Sequence, residues 1–347
     1  MTASPARLTT HTNAALWPVV GMALLVITNV LFDTLRAGGP GLFGAGAFLH
    51  VSVRDGVPAG ATIDVLNYGA TFVILAMGMA PVIAARGVDL SVGSIMAISG
   101  AVAATMSVNG HASAVSIAAA LGVAALCGLW NAILVSVLGL QPFVATLVLM
   151  VAGRGVAQMI TQSHIVTFHD AAIEYIGLGR PTWLPLPVPL LLAITLFAGT
   201  ALVIRRTALG LLLEAVGGNP EASRLAGVRS RLIIAGTYVF SGVCAGLAGL
   251  IAAANIKAAD PFHAGQNQEL AAIFAVVVGG TSLAGGRMNL LGAALGGLLM
   301  QCLITTMYAR NIGSDVAPLP QALVILGVCI AGSPRARQWL RARRMPA

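Results

Sequence analysis

The stretch Ala85-Arg86-Gly87-Val88-Asp89-Leu90-Ser91-Val92-Gly93-Ser94 decides how this chain is read. It sets a charge pair, bracketed by glycines, between two apolar runs at 66–85 and 94–108. Backbone that leaves helical geometry near a bilayer must be satisfied by protein or by a water-filled cavity, so the break belongs to an interior path or a cytoplasmic turn. Asp89 and the serines are candidates to cap the helix that begins near Ser94, which is also what an ordinary turn would use them for.

Outward from this break the same alternation continues. The chain is 58% hydrophobic and only 9% charged, with a mean hydropathy of +0.91. It cannot present the mixed charged surface that a soluble domain of this length needs. Apolar runs near the roughly 20 residues needed to cross a bilayer recur at 17–35, 66–85, 94–108, 114–138, 143–161, 187–204, 232–254, 269–284, 288–307 and 317–331. The expected fold is an all-α polytopic transmembrane bundle of about ten spans. A tail at 1–16 precedes a membrane domain at 17–331, and a basic tail follows at 332–347. Residues 1–16 are polar and the next run reaches spanning length, so it reads as a retained first helix and not a cleaved signal.

Orientation follows from the basic residues, of which all but Lys257 are arginines. With both termini cytoplasmic, thirteen of the nineteen fall on the inner side, in the 205–231 loop, the C-terminal tail and at Arg7, Arg86 and Arg287. Five (Arg36, Arg54, Arg180, Lys257, Arg310) fall outside, and Arg154 falls within a span. The net charge of +8 could suggest nucleic acid, but the arginines gather at segment ends with no exposed aromatic stripe, so none is expected. Cys127, Cys244, Cys302 and Cys329 each lie in an apolar run and read as small buried hydrophobes. The outer segment 162–186 carries His164, His169, Asp170 and Glu174, but without HExxH spacing it reads as polar surface and not as a metal site.

Three further features bear on function. A second glycine-rich break, Gly279-Gly280-Thr281-Ser282-Leu283-Ala284-Gly285-Gly286-Arg287, stands in the other half, and paired interruptions point to transport. In the long 205–231 loop Asn219 is a plausible N-cap, Pro220 suits the first helical turn, and Glu221 favours the positive end of the dipole. A short helix ending at Gly227 would place Ala222, Leu225 and Ala226 on one face, for a cytoplasmic partner or the membrane surface. Asn131, Thr146, Arg154, Gln158, Glu269 and Gln301 are polar within apolar runs. Ionisable groups there face a cavity, pair, or snorkel to the interface. No Walker A loop, GxSxG elbow or HExxH is present, so neither ATP hydrolysis nor another enzymatic activity and no cofactor is expected.

These motifs resemble the permease subunits of bacterial sugar ABC importers, the ribose, xylose and galactofuranose group. GVDLSVGS (Gly87 to Ser94) is similar to that family's GIDLSVGS signature, and GGNPEASRLAGV (Gly217 to Val228) to its GGNPEAARLSGI coupling segment. QPFVATL (Gln141 to Leu147), RGVAQ (Arg154 to Gln158) and VVVGGTSLAGGR (Val276 to Arg287) extend the match almost end to end. IDVLN (Ile63 to Asn67), LWNAILV (Leu129 to Val135) and IVTF (Ile165 to Phe168) bring it nearest to the galactofuranose-type permeases. One departure is Ala271, where family members often carry an Asp in ELDAI.

The resemblance implies import of a monosaccharide delivered by a periplasmic binding protein. A separate cytoplasmic ATP-binding subunit would consume the ATP, and a second, similar permease would stand beside this one in the inner membrane. It marks Gly218, Asn219, Pro220, Glu221, Ala222, Arg224, Leu225 and Gly227 as the ATPase-coupling segment. Candidate pathway residues are Gly87, Asp89, Ser91, Gly93, Asn131, Thr146, Arg154 and Glu269. Two rivals are an ion-coupled secondary sugar transporter, for which Glu269 is the candidate relay, and a membrane receptor that does not transport.

Overall fold

A computed structural model describes residues 9–35, 47–54, 57–181 and 186–312, with isolated positions between 319 and 327. The expected span at 317–331 and the tails at 1–8 and 332–347 lie, but for those positions, outside the described residues. The described residues are mostly helical: α1 (Thr9–Leu35), α2 (Ala61–Ala84), α3 (Val92–Val108), α4 (Ser113–Ala132), α5 (Pro142–Ile160), α6 (Ala171–Leu178), α7 (Val188–Arg206), α8 (Leu209–Gly218), α9 (Pro220–Leu225), α10 (Ser230–Ile256), α11 (Gln268–Val278) and α12 (Leu290–Ala309). Two small antiparallel pairs, Ser52–Arg54 with Val57–Ala59 and Val166–Thr167 with Ala258–Ala259, are the strands among the described residues.

Seven helices among the described residues are long and apolar enough to cross a bilayer: α1, α2, α4 with its π-helical end Ile133–Val137, α5, α7, α10 and α12. The expected span at 94–108 is the 17-residue α3. The expected span at 269–284 needs correction: its helix stops at Val278 after 11 residues, because Gly279 and Gly280 turn the chain, and at about 1.5 Å per residue it spans only part of the membrane. The loop at 205–231 carries two helices where one was expected, since Leu209–Gly218 is itself apolar and helical.

In lipid the apolar side chains gain little by leaving their surroundings, so association rests on close packing and interhelical hydrogen bonds. The bundle separates accordingly into inner and outer helices. α2 is 83% buried over its most apolar window and α1 only 11%. α2, α10 and α12 form the middle; α4, α5 and α7 turn broad apolar faces outward. The seam between α4 and α10 is made by small residues. A Cβ on Gly128 would come within 2.6 Å of the Tyr238 carbonyl, and one on Gly242 within 2.6 Å of the Ala124 carbonyl. Ser99 crosses nearby to the Gly246 carbonyl at 2.8 Å.

The bundle has two distinct ends. At one, the segment from α7 through α9 to α10 collects Arg205, Arg206, Arg224, Arg229 and Arg231. At the other lie α6 and the strand Ala258–Ala259. There Asp170 caps α6 through the Ala172 and Ile173 N–H groups and accepts from the Ser113 and Ser107 hydroxyls. Burial alone would raise this carboxyl, but the hydrogen bonds from Ser113, Ile173, Ala172 and Ser107 outweigh it and hold it below the usual carboxylate range. Glu174 pairs with Lys257 at 2.6 Å and approaches His169 at 3.6 Å, so these outer polar residues have structural partners.

The α4–α10 seam predicts a stability difference. Gly242→Val should lower the thermal midpoint of the detergent-solubilised protein by the equivalent of about 1–3 kcal/mol. Gly199→Ala on α7, where a Cβ meets open space, should stay within about 0.5 kcal/mol. Equal midpoints for the two variants would contradict the packing described.

Candidate functional site

The Gly87–Ser91 loop is folded into the bundle and is not a surface turn. Asp89 is fully buried. Its Oδ1 accepts from the Ser91 N–H at 3.0 Å, the Ser91 hydroxyl at 2.6 Å and Asn131 Nδ2 at 3.4 Å; its Oδ2 accepts from the Ser241 hydroxyl at 2.8 Å. Asn131 also donates to Ser91 Oγ at 2.8 Å. The expected capping role is therefore corrected: α3 begins at Val92 with no side-chain cap, and Asp89 instead joins the loop to α4 and α10. A carboxylate accepting several donors can be held in such a site, whereas one without partners would cost several kcal/mol.

The remaining pathway candidates lie along this loop and on the segment at 260–269 that packs against Gly93. Thr146 reaches the Val88 carbonyl at 3.4 Å and the Pro142 carbonyl at 2.9 Å. Gly87 leaves room for the Tyr238 hydroxyl, which a Cβ would meet at 2.5 Å. Gly93 packs on Gly265, itself at φ +69°, so closely that a Cβ on either would collide with the other's carbonyl oxygen. A Cβ on Gly93 would also lie 2.6 Å from Glu269 Oε2. Arg154 donates to the Ala264 carbonyl and lies within electrostatic reach of Glu269 and Asp260. Glu269 is thus a buried carboxylate beside a cation.

A second cluster lies at the arginine-rich end, where three chain breaks meet. Arg86, in the left-handed region at φ 64°, donates from Nε to the Ala284 carbonyl at 2.9 Å and from Nη2 to the Gly218 carbonyl at 2.6 Å. The Gly286 N–H donates to the Ala84 carbonyl at 2.9 Å, and the Met288 N–H to Glu214 Oε1 at 3.1 Å. A Cβ on Gly217 would collide with the Ala84 carbonyl and sit 2.7 Å from the Gly286 nitrogen. The two glycine-rich breaks of the sequence therefore touch, and the end of α8 is keyed between them.

From that contact α9 projects outward. Asn219 caps it through the Ala222 N–H at 3.0 Å, with Pro220 in its first turn. Glu221 pairs with Arg224 at 2.7 Å, an ion pair that the reading from helix polarity alone had not included. Ala222, Leu225, Ala226 and Gly227 are exposed, Leu225 to 77%.

The sequence did not point to a cavity of about 730 Å³ at the opposite end, between the start of α2, the ends of α10 and α12, and the start of α11. Tyr68, Asn255, Gln268, Gln301 and Thr305 are among its walls. None of the eight pathway candidates lines it; of the polar residues noted within spans, only Gln301 does. Ser241 and Tyr238, which complete the Asp89 and Gly87 contacts, were missed as single hydroxyls in an apolar run. Ala271 packs against the apolar core.

A family profile described as branched-chain amino acid transport system / permease component matches residues 61–331. The chain is 46% identical over 321 residues, 92% of its length and 91% of the relative's, to the galactofuranose transporter permease YtfT of Escherichia coli K12. It is 36% identical to the fructose import permease FruF of Bifidobacterium longum NCC 2705, over 92% of this chain and 87% of that one. It is 37% identical to the ribose import permease RbsC of Escherichia coli K12, over 76% and 82%. No solved structure matches the chain. By the match over residues 61–331 and these identities, the chain belongs to this family of transport-system permease components, and it is a multi-pass membrane protein whose relatives serve sugar import.

Proposed function

We propose that the chain is the membrane subunit of an ATP-binding-cassette importer in the bacterial inner membrane, with galactofuranose or a related monosaccharide as its cargo. The 46% identity to the galactofuranose permease supports that cargo. A periplasmic binding protein delivers the sugar, a cytoplasmic ATP-binding subunit supplies the energy, and a second permease, a copy or a similar chain, completes the membrane unit. Both termini lie inside, with the arginine-rich end facing the cytoplasm.

The observation that carries this reading is Arg86, which holds the Gly218 carbonyl of the coupling segment and opens the loop that leads to Asp89. A partner gripping the exposed face of α9 moves α8, and α8 is keyed by Gly217 against the end of α2. Packed interfaces of this kind move between discrete arrangements and do not stretch. A displacement of the coupling segment is therefore passed to the loop at Gly87–Gly93 as a whole. The relatives that match the chain are sugar import permeases, which favours this reading over ion coupling at Glu269.

Two outcomes test the coupling. In the complete complex in proteoliposomes, Glu221→Arg or deletion of Gly218 to Gly227 should cut sugar uptake at least about tenfold while ATP hydrolysis continues, the equivalent of 1.4 kcal/mol or more in coupling; normal uptake would sink the assignment. Arg86→Leu removes two hydrogen bonds from a charged donor, each worth about 1.5–3 kcal/mol when intact. It should lower the sugar moved per ATP severalfold with assembly preserved. Uptake blocked by ATP depletion but insensitive to an uncoupler separates this reading from ion coupling.

A further inference from the structure

We infer that the apolar groove between α7 and α10 seats one acyl chain of an anionic phospholipid, with Arg206 and Arg229 at its mouth holding the phosphate. The inference rests on the chain being a multi-pass membrane protein and is independent of the cargo it carries. The groove has a volume of about 760 Å³. One wall is α7 from Leu192 to Ile204 and the other α10 from Leu232 to Leu247, with Leu209 and Leu213 of α8 at the arginine-rich end. Twelve helical steps from Leu192 to Ile204 rise about 18 Å, comparable with the roughly 15 Å depth of one leaflet of hydrocarbon.

The lining suits hydrocarbon. Thr195 and Thr237 donate their hydroxyls back to the Leu191 and Ile234 carbonyls of their own helices, at 2.8 and 2.7 Å, so neither turns a donor into the groove. Gly199 on α7 and Gly236 on α10 both line it, and a Cβ on either would meet nothing within 4 Å. At the α4–α10 seam glycines admit a neighbouring backbone; these two instead leave a slot between the helices. Val203 and Leu232 are exposed on its open side, which faces the surrounding lipid. A hydrocarbon tail gains little in such a slot over bulk lipid, so selection of one lipid over another falls to the headgroup.

Charge supplies that selection. Arg206 follows the lining residues Val203 and Gly199 by three and seven positions, so it continues the groove face of α7. Arg229 precedes Leu232, Ile233 and Gly236 by three, four and seven, at the start of α10. Both are exposed, and neither guanidinium has a hydrogen bond or ion pair among the described residues. The two carboxylates of 205–231 are engaged elsewhere: Glu214 accepts the Met288 N–H and Glu221 pairs with Arg224. Two guanidinium groups beside a hydrocarbon slot match a phosphodiester joined to an acyl chain. A second copy of this chain, oriented alike in the membrane and using the same face, would bring its own arginines to the same level, like charge against like.

The test weighs the full chain intact with its bound lipids by native mass spectrometry, in detergent with equal amounts of phosphatidylglycerol and phosphatidylcholine of the same acyl chains. The unaltered chain should retain phosphatidylglycerol at least about tenfold over phosphatidylcholine, since each arginine near an anionic lipid contributes roughly fivefold. Arg206→Gln with Arg229→Gln should abolish that preference. Arg205→Gln with Arg231→Gln, the same change of charge off the groove face, should leave it within about twofold. Gly199→Phe with Gly236→Phe fills the slot, keeps both arginines and should lower phosphatidylglycerol retention at least about fivefold. No preference in the unaltered chain, an unchanged preference in the Arg206/Arg229 variant, or an equal loss in both arginine pairs overturns the inference. So does unchanged retention in the filled groove, or displacement of the lipid by an equal concentration of glycerol phosphate, which would mark a site for soluble phosphate. A dimer that the filled groove splits would make a second copy the occupant and overturns it too. Should the Phe variant not fold, Gly236→Leu takes its place, and the arginine pairs, on exposed side chains, decide in either case.

Discussion

The structure depends on one constraint: chain that stops being helical inside a bilayer has no water to fall back on. The Gly87–Ser91 loop meets it with side chains: Asp89 accepts from the Ser91 N–H, and the Thr146 and Tyr238 hydroxyls reach the Val88 carbonyl. Asp89 offers two acceptor oxygens at the centre of the bend, and Ser91, Asn131 and Ser241 bring donors from three different elements. The loop is thereby fixed to α4 and α10 as firmly as it is to its own helices. Removing the carboxylate would take the acceptor from the Ser91 N–H and the Ser241 hydroxyl, while Asn131 Nδ2 keeps Ser91 Oγ.

Close approach is the second half of the same solution. Where hydrophobic burial does not draw helices together, small residues let backbones touch and make interhelical hydrogen bonds possible. Gly128 and Gly242 bring α4 and α10 into register, which places Asn131 and Ser241 on either side of Asp89. Gly93 and Gly265 bring the loop onto the start of α11. At the arginine-rich end, Gly217 does the same for α8, and Arg86 spans the gap that remains. These contacts are tight enough that no side chain fits between them, so displacement of one partner moves the other.

Much of this was legible in the residues. Apolar run length and arginine placement gave the bundle and its two ends, and Asn219-Pro220-Glu221 announced a short capped helix. The two glycine-rich breaks were visible, but not that they touch, because contact between Arg86, Gly218 and Ala284 is a property of the fold and leaves no local pattern. The short α11 was read as a full span because hydropathy continues through Val276, Val277 and Val278 into the glycines, and length alone cannot separate a crossing helix from a half helix. The cavity was missed for a related reason. Its polar wall residues are spread over four helices, and all but Gln301, taken alone, look like ordinary residues near a membrane interface.

The polar and glycine contacts also divide the bundle along its length. From the end opposite the coupling segment, the cavity reaches inward as far as Gly265 and Gln268. Beyond it, Gly93 sits against Gly265, the Ser94 hydroxyl donates to the Ser91 and Leu149 carbonyls, and Asp89 is fully buried among its partners. This closure is joined through Val88, Gly87 and Arg86 to the Gly218 carbonyl that precedes α9. On the transport reading proposed above, a displacement of α9 would therefore be passed to the contacts around Asp89, because packed interfaces of this kind move between discrete arrangements.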